Sequence, residues 1–283
     1  MVQDASILKP SKALSKADGK YPVALTIAGF DPSSGAGVTA DLKVFAAHGI
    51  YGLAAITALT VQSTQGVRRV EPVSPEVLRE TLQCLGEDIP IAGVKIGMLA
   101  TEGMVEAVSR FLAGAGIPAG RIVLDPVLRS SSGHKLLSDE GLARLTSGLL
   151  SSVGWVTPNV DELAVLAETP ISGRESVPEA VSRLAAGYPG LNIVVTGGHL
   201  DPPDDFLRTA EGLAQWYPGQ RIPTEATHGT GCAFSSALLA RLLAGDTSGE
   251  AVRAAKTYVT EAMQAARPIG KGPGPLHHLY RQG

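Results

Sequence analysis

The chain has 283 residues, enough for one large α/β domain or two small ones, with 44% apolar and 18% charged residues as in a globular core. Its net charge of −3 supplies no basic field for a polyanion, so nucleic-acid binding is not expected. No apolar run approaches the roughly 20 residues of a bilayer span, so no membrane partner is expected either.

Residues 1–20 carry lysines but no continuous apolar segment of the secretory kind, and they read as a disordered tail. Two cysteines, Cys84 and Cys232, are too few for a disulfide framework, and the expected compartment is the reducing cytoplasm. The first strand spans Val23 to Gly29, followed by a polar and glycine-rich loop to Gly37 and a helix through about Gly49. A second strand near Leu53–Thr60 stops at the segment Val61 to Gly66. Helix 75–85 leads to strand Ala92–Gly97, and helix 101–115 to the run Arg121–Pro126. Strand Gly154–Thr157 runs into a helix start at Pro158–Glu162. Helix 177–187 precedes the run Asn192–Gly198. The Asp/Pro-rich residues 201–205 read as a surface loop, short strands are expected within 212–224, and a last helix covers 248–267.

This alternation predicts an α/β fold with a mostly parallel sheet and helices on both faces, in one domain over residues 21–283. In open α/β sheets ligands collect where strands end and helices begin. The polar and glycine-rich segments of this chain nearly all fall at such ends, which favours one shared site.

The run Thr227–Leu239 has the most explicit chemistry. Gly229, Thr230 and Gly231 stand directly before strong helix formers. A helix opening there aims unpaired N–H groups and its positive dipole end at one point, which suits a phosphoryl group. Cys232 falls in the first turn, where that field is expected to lower a thiol pKa. An anion cradle beside a potential base points to phosphoryl transfer to a hydroxyl. The plain alternative is a loop before a buried helix, with Cys232 a small core residue.

Read in order, the segments Leu25–Lys43, Ile56–Thr64, Lys95–Leu99, Val123–Val127, Thr157–Glu162, His228–Cys232 and Gly272–His278 closely resemble the hydroxymethylpyrimidine/phosphomethylpyrimidine kinases of thiamine biosynthesis. The resemblance covers essentially everything after residue 20. It implies a ribokinase-like fold and a homodimer. It also implies ATP- and Mg²⁺-dependent phosphorylation of 4-amino-5-hydroxymethyl-2-methylpyrimidine and then of its monophosphate.

The resemblance places Gln62 against the pyrimidine edge, with Gly29, Asp41, Met98 and Val127 around the ring. An amide offers both a donor and an acceptor, which the ring nitrogens and exocyclic amine require. Taken by themselves, Gln62 is also a polar residue ending a strand, Met98 and Val127 are core residues, and Asp41 is an acidic residue near a helix start. Gly229, Thr230 and Gly231 become the anion hole. Asp125 and Glu162 become the carboxylates near Mg²⁺, directly or through water, and Asn159 and Thr196 the nucleotide or phosphate contacts. An Asp-Pro turn and a helix cap are the ordinary readings of Asp125 and Asn159. Cys232 stands where sugar kinases of the superfamily carry aspartate, and becomes the catalytic base.

The chain departs from the family pattern at Thr196, where many members carry lysine, and at Phe30, Ser33 and Ser34 in the first loop. Two other functions stay open: pyridoxal kinase on the same scaffold, and a catalytically silent pyrimidine- or nucleotide-binding protein.

Overall fold

A computed structural model describes residues 21–130 and 133–281 of the chain. The expected N-terminal tail lies outside the described residues. In chain order the elements are β1 (Val23–Phe30), α1 (Gly37–Ala47), β2 (Tyr51–Ser63), β3 (Gly66–Pro72), α2 (Pro75–Asp88) and β4 (Gly93–Ile96). Next come α3 (Glu102–Ala115), β5 (Ile122–Leu124), α4 (Asp139–Ser147), β6 (Trp155–Val156), α5 (Val160–Leu166) and α6 (Val177–Gly187). The chain ends with β7 (Asn192–Val195), β8 (Asp205–Arg208), β9 (Ala214–Tyr217), α7 (Thr230–Leu243) and α8 (Ser248–Gln264).

The strands form one mixed sheet in the order β3-β2-β1-β4-β5-β6-β7-β8-β9. Its centre, β2 to β7, is parallel, while β3, β8 and β9 are antiparallel additions at the two edges. Side chains alternate across the central strands. Leu25, Ile27, Val94 and Ile96 face a core shared with α2 to α6. Ala24 and Val123 face the opposite core, under α1, α7 and α8. Helices therefore cover both faces, as the apolar strand runs require. Strand order reverses beside β1, with β2 on one side and β4 on the other. A crevice opens at such a switch point, beyond the carboxyl ends of the strands.

Local chemistry accounts for the helix starts. Ser74 accepts the Val77 N–H at 3.2 Å ahead of Pro75, and Thr247 and Glu250 cap α8 reciprocally. Four expectations change. The second strand does not stop at Thr60 but runs to Ser63 and returns as β3, so Gln62 lies on a strand. Residues 201–205 are not wholly a loop, because Asp205 opens β8. The strands expected within 212–224 reduce to β9, its partner β8 lying upstream. Helix α4 was not foreseen, and the last helix ends at Gln264 rather than residue 267.

Candidate active site

A cleft of about 1070 Å³ runs along the carboxyl ends of the parallel strands. Pockets for one drug-sized ligand span roughly 300–1,000 Å³, so this cleft has room for two small molecules side by side. Its floor is the first turn of α7. Gly229 is the helix N-cap with φ of 82°, and a Cβ there would collide with the Gly35 carbonyl. Only glycine takes this backbone at this spacing without strain. The turn leaves the amides at the head of a 14-residue helix facing the cleft, where Gly229, Thr230, Gly231 and Cys232 are all lining residues.

Beneath this turn lies a buried charge cluster. Lys95 Nζ on β4 is 3.0 Å from both carboxylate oxygens of Asp41 and 4.0 Å from Asp125 Oδ2. Thr26 and Ser236 donate to Asp41 at 2.6 and 2.8 Å, and Ser235 donates to Asp125 at 3.1 Å. Burial works against the Lys95 charge, but Asp41, Cys232 and Asp125 outweigh it and hold the ammonium above its usual range.

Cys232 departs from expectation. It is half-buried, and burial pushes its thiol up to about 12, against opposing pulls from Lys95 and the Gly37 N–H. The Lys95 ammonium and the Gly37 N–H together do not outweigh desolvation and the neighbouring Asp41 and Asp125 carboxylates, a balance that favours the thiol over the thiolate.

Asp125 and Glu162 face the same part of the cleft. Burial raises Asp125, and burial together with the Asp125 charge lifts Glu162 to about 8. Glu162 also closes a reciprocal cap with Asn159: Asn159 N–H donates to Oε2 and Glu162 N–H to the Asn159 amide oxygen, each at 2.9 Å. The helix-cap reading of Asn159 thus holds while both residues line the cleft. Two neighbouring carboxylates, one raised by the charge of the other, fit a hydrated Mg²⁺, which takes few protein oxygens and completes its shell with water and phosphate. Among the described residues no three His, Cys, Asp or Glu side chains gather as a metal site.

At the far end Thr196 pairs with Asn159, and Gly197 N–H donates to Asp205 at 2.8 Å. Lys256 Nζ meets that carboxylate at 2.9 Å, so a lysine borders this part of the cleft although Thr196 carries no charge.

The near end holds Gly29, Gln62, Met98 and Val127. Met98 is buried against Ala58, Ala100 and Leu136, with Val127 packed on them, and a Cβ at Gly29 would strike its methyl. Both readings of Met98 therefore hold, core residue and cleft wall. Asp41 is the exception among the expected ring contacts. It is fully buried behind the wall, engaged by Lys95, Thr26 and Ser236, and does not line the cleft.

A family model described as Phosphomethylpyrimidine kinase matches residues 31–277. The chain belongs to the phosphomethylpyrimidine kinase family. It is 41% identical over 263 residues to the hydroxymethylpyrimidine/phosphomethylpyrimidine kinase of Escherichia coli K12, covering 91% of this chain and 97% of that protein. Among solved structures, the phosphomethylpyrimidine kinase of Clostridium difficile 630 aligns with a TM-score of 0.74 at 33% identity, covering 85% of this chain and 99% of that one. An ADP complex of Bacillus subtilis pyridoxal kinase aligns with a TM-score of 0.83 at 29% identity, over 93% and 99% of the two chains. The ribokinase-like fold expected from the motifs is the fold of these neighbours.

Within this phosphomethylpyrimidine kinase fold, five residues at or beneath the cleft have no role foreseen from the sequence. Asp31 and His228 were quoted inside motifs without a role, and they form a 2.7 Å pair at the near end. Lys95 sits within a fully buried strand, β4. Asp205 and Lys256 lie 51 residues apart, and only the fold brings them together. An ionisable residue inside an apolar strand, as Lys95 is, was the one usable signal.

Proposed function

We propose that the protein is an ATP-dependent hydroxymethylpyrimidine/phosphomethylpyrimidine kinase. The observation that carries this reading is the glycine-formed cradle at the α7 N-terminus, with Cys232 in its first turn, set between an amide-bearing end and a carboxylate-bearing end of one cleft. Gln62, Met98, Val127 and Gly29 hold the pyrimidine so that its hydroxymethyl group lies over Cys232. The amides of Thr230 and Gly231 take the charge that develops on the moving phosphoryl group. Asp125 and Glu162 would hold Mg²⁺, directly or through water, and the ion would supply charge to neutralise the phosphates. Asn159, Thr196, Gly197 and Lys256 receive the nucleotide end.

Cys232 must first give up its own proton to solvent; the resulting thiolate, beside the Lys95 ammonium, then accepts the hydroxyl proton as the hydroxyl oxygen bonds to phosphorus and ADP departs. In the second phosphorylation the acceptor is already an ionised phosphate, so that step needs no base. Asp41 acts from behind the wall by fixing Lys95 rather than by touching the ring. The family likeness supports work in the cytoplasm as a homodimer. Among the described residues no helix is long and apolar enough to cross a membrane.

The test is incubation with Mg-ATP and 4-amino-5-hydroxymethyl-2-methylpyrimidine, following products by mass spectrometry. Monophosphate and then diphosphate are expected. The fold likeness to pyridoxal kinase makes that activity the second reading. Phosphorylation of pyridoxal alone would replace the first reading, and ligand binding without ATP consumption would leave a silent binding protein.

A further inference from the structure

His228 connects two parts of the near end that the sequence keeps 166 residues apart. Its Nε2 is 2.7 Å from Asp31 Oδ2 and 3.1 Å from the Gln62 amide nitrogen as placed. Asp31 is buried and also accepts N–H groups from Ser33 at 2.8 Å, Gly35 at 3.1 Å and Ala36 at 2.9 Å. Burial would raise its carboxyl, but the bonds from His228 and Ser33 prevail and lower it to about 2. An ionised carboxylate at 2.7 Å requires a proton on Nε2.

That proton sets the amide. With its nitrogen toward His228, Gln62 would oppose one donor to another. Its oxygen, 3.1 Å from Thr60 Oγ1, would compete for a single hydroxyl proton with the Phe30 carbonyl at 3.0 Å. Exchanging the two ends of the amide gives every group a partner. Nε2–H is shared by Asp31 and the Gln62 oxygen, Gln62 donates one N–H to Thr60, and Thr60 donates to Phe30. One N–H of Gln62 is left for the cleft.

We propose that His228 is a positioning residue for substrate recognition: held by Asp31, it takes the Gln62 oxygen and leaves that amide to meet the substrate as a donor. The ring edge selected is then an acceptor, an unprotonated heteroaromatic nitrogen. This rests on the kinase reading only in supposing that Gln62 faces the substrate.

Two measurements test it. Long-range ¹H–¹⁵N spectra of the ¹⁵N-labelled full chain, with His228 assigned by the signal lost in His228→Gln, should show a protonated Nε2. An unprotonated Nε2 overturns the proposal whatever the enzyme phosphorylates. In kinetics, His228→Leu should raise KM for the pyrimidine at least tenfold and leave KM for ATP within twofold. His228→Gln, which keeps an N–H on a side chain of similar reach, should return the pyrimidine KM to within threefold of wild type. Equal rises in both KM values, or no recovery with glutamine, would mean that His228 only props the loops, and would overturn it. If His228→Leu does not fold, the tautomer and the His228→Gln constants decide. Absence of any pyrimidine product defeats the kinase reading and leaves the tautomer test standing.

Discussion

Replacing Lys95 with methionine removes one positive charge from a site that water does not reach. Lys95 and Asp41 are both 0% exposed, and the ammonium meets both carboxylate oxygens at 3.0 Å. In Lys95→Met, Asp41 would keep its charge with only the Thr26 and Ser236 hydroxyls for support. Breaking a buried pair by removing one partner costs about 3–5 kcal/mol, because an uncompensated charge remains. Two close contacts and complete burial put Lys95→Met within that range. Asp41→Asn costs less, since Lys95 retains Asp125 at 4.0 Å. The double variant Lys95→Met/Asp41→Asn leaves neither charge, and recovers about 2–3 kcal/mol relative to the sum of the singles. Urea denaturation followed by the fluorescence of Trp155, buried in β6, measures all four proteins. A loss below about 1 kcal/mol in Lys95→Met, or strict additivity in the double variant, would refute the paired-charge account.

Four further outcomes are expected. With its thiol near 12, Cys232 should react with iodoacetamide at a rate that climbs about tenfold per pH unit from 7 to beyond 9, while a plateau near neutrality would mean that the helix field prevails. Cys232→Ala should slow hydroxyl phosphorylation at least about 100-fold but phosphate phosphorylation less than about tenfold, and equal losses would sink the base role. Asp31 has a folded pKa lowered from 3.8 to about 2, so its stabilisation is fully present above the higher value and is lost as pH falls through the lower. Asp31→Asn should therefore cost about 2 kcal/mol at pH 7, and the gap to wild type should close between about pH 4 and 2 in denaturant titrations. Gly229→Ala, forced into a left-handed backbone against the Gly35 carbonyl, should lose more than about 100-fold in kcat/KM while circular dichroism stays native. Full activity in that variant would remove the cradle from the mechanism.

The parallel centre of the sheet was legible because its strands are short apolar runs separated by helical periodicity. Helix 177–187 shows both of its ends in the sequence, with Pro178 in the first turn and Gly187 at the close. The edges were not legible. Alternation in Val61–Ser63 is too brief to distinguish a continuing strand from a loop, and β8 begins at an Asp in an Asp/Pro-rich stretch that carries every mark of a turn. For the site, residue type located the cradle, since glycine before a helix has a direct backbone consequence. Residue type failed for Asp41 and Cys232, where burial decides. A carboxylate one helical turn past Gly37 reads equally as a ligand contact or an internal ion pair, and only the position of Lys95 chooses between them. The sign of the Cys232 shift likewise depends on which charges the fold places around the sulfur.

The C-terminal segment has a consequence in time rather than in space. His228 N–H donates to the Gly274 carbonyl at 3.1 Å, and the Lys271 and Gly272 amides reach back to Thr64 at the tip of the β2–β3 hairpin. The last dozen described residues therefore bind the cradle to the hairpin that carries Gln62. During synthesis they emerge after the sheet and its helices. Those elements can form on the emerging chain, yet the segment that joins the two halves of the cleft arrives later. A nascent chain stalled short of Gly272 would be folded in its core with the two halves of its cleft still unjoined.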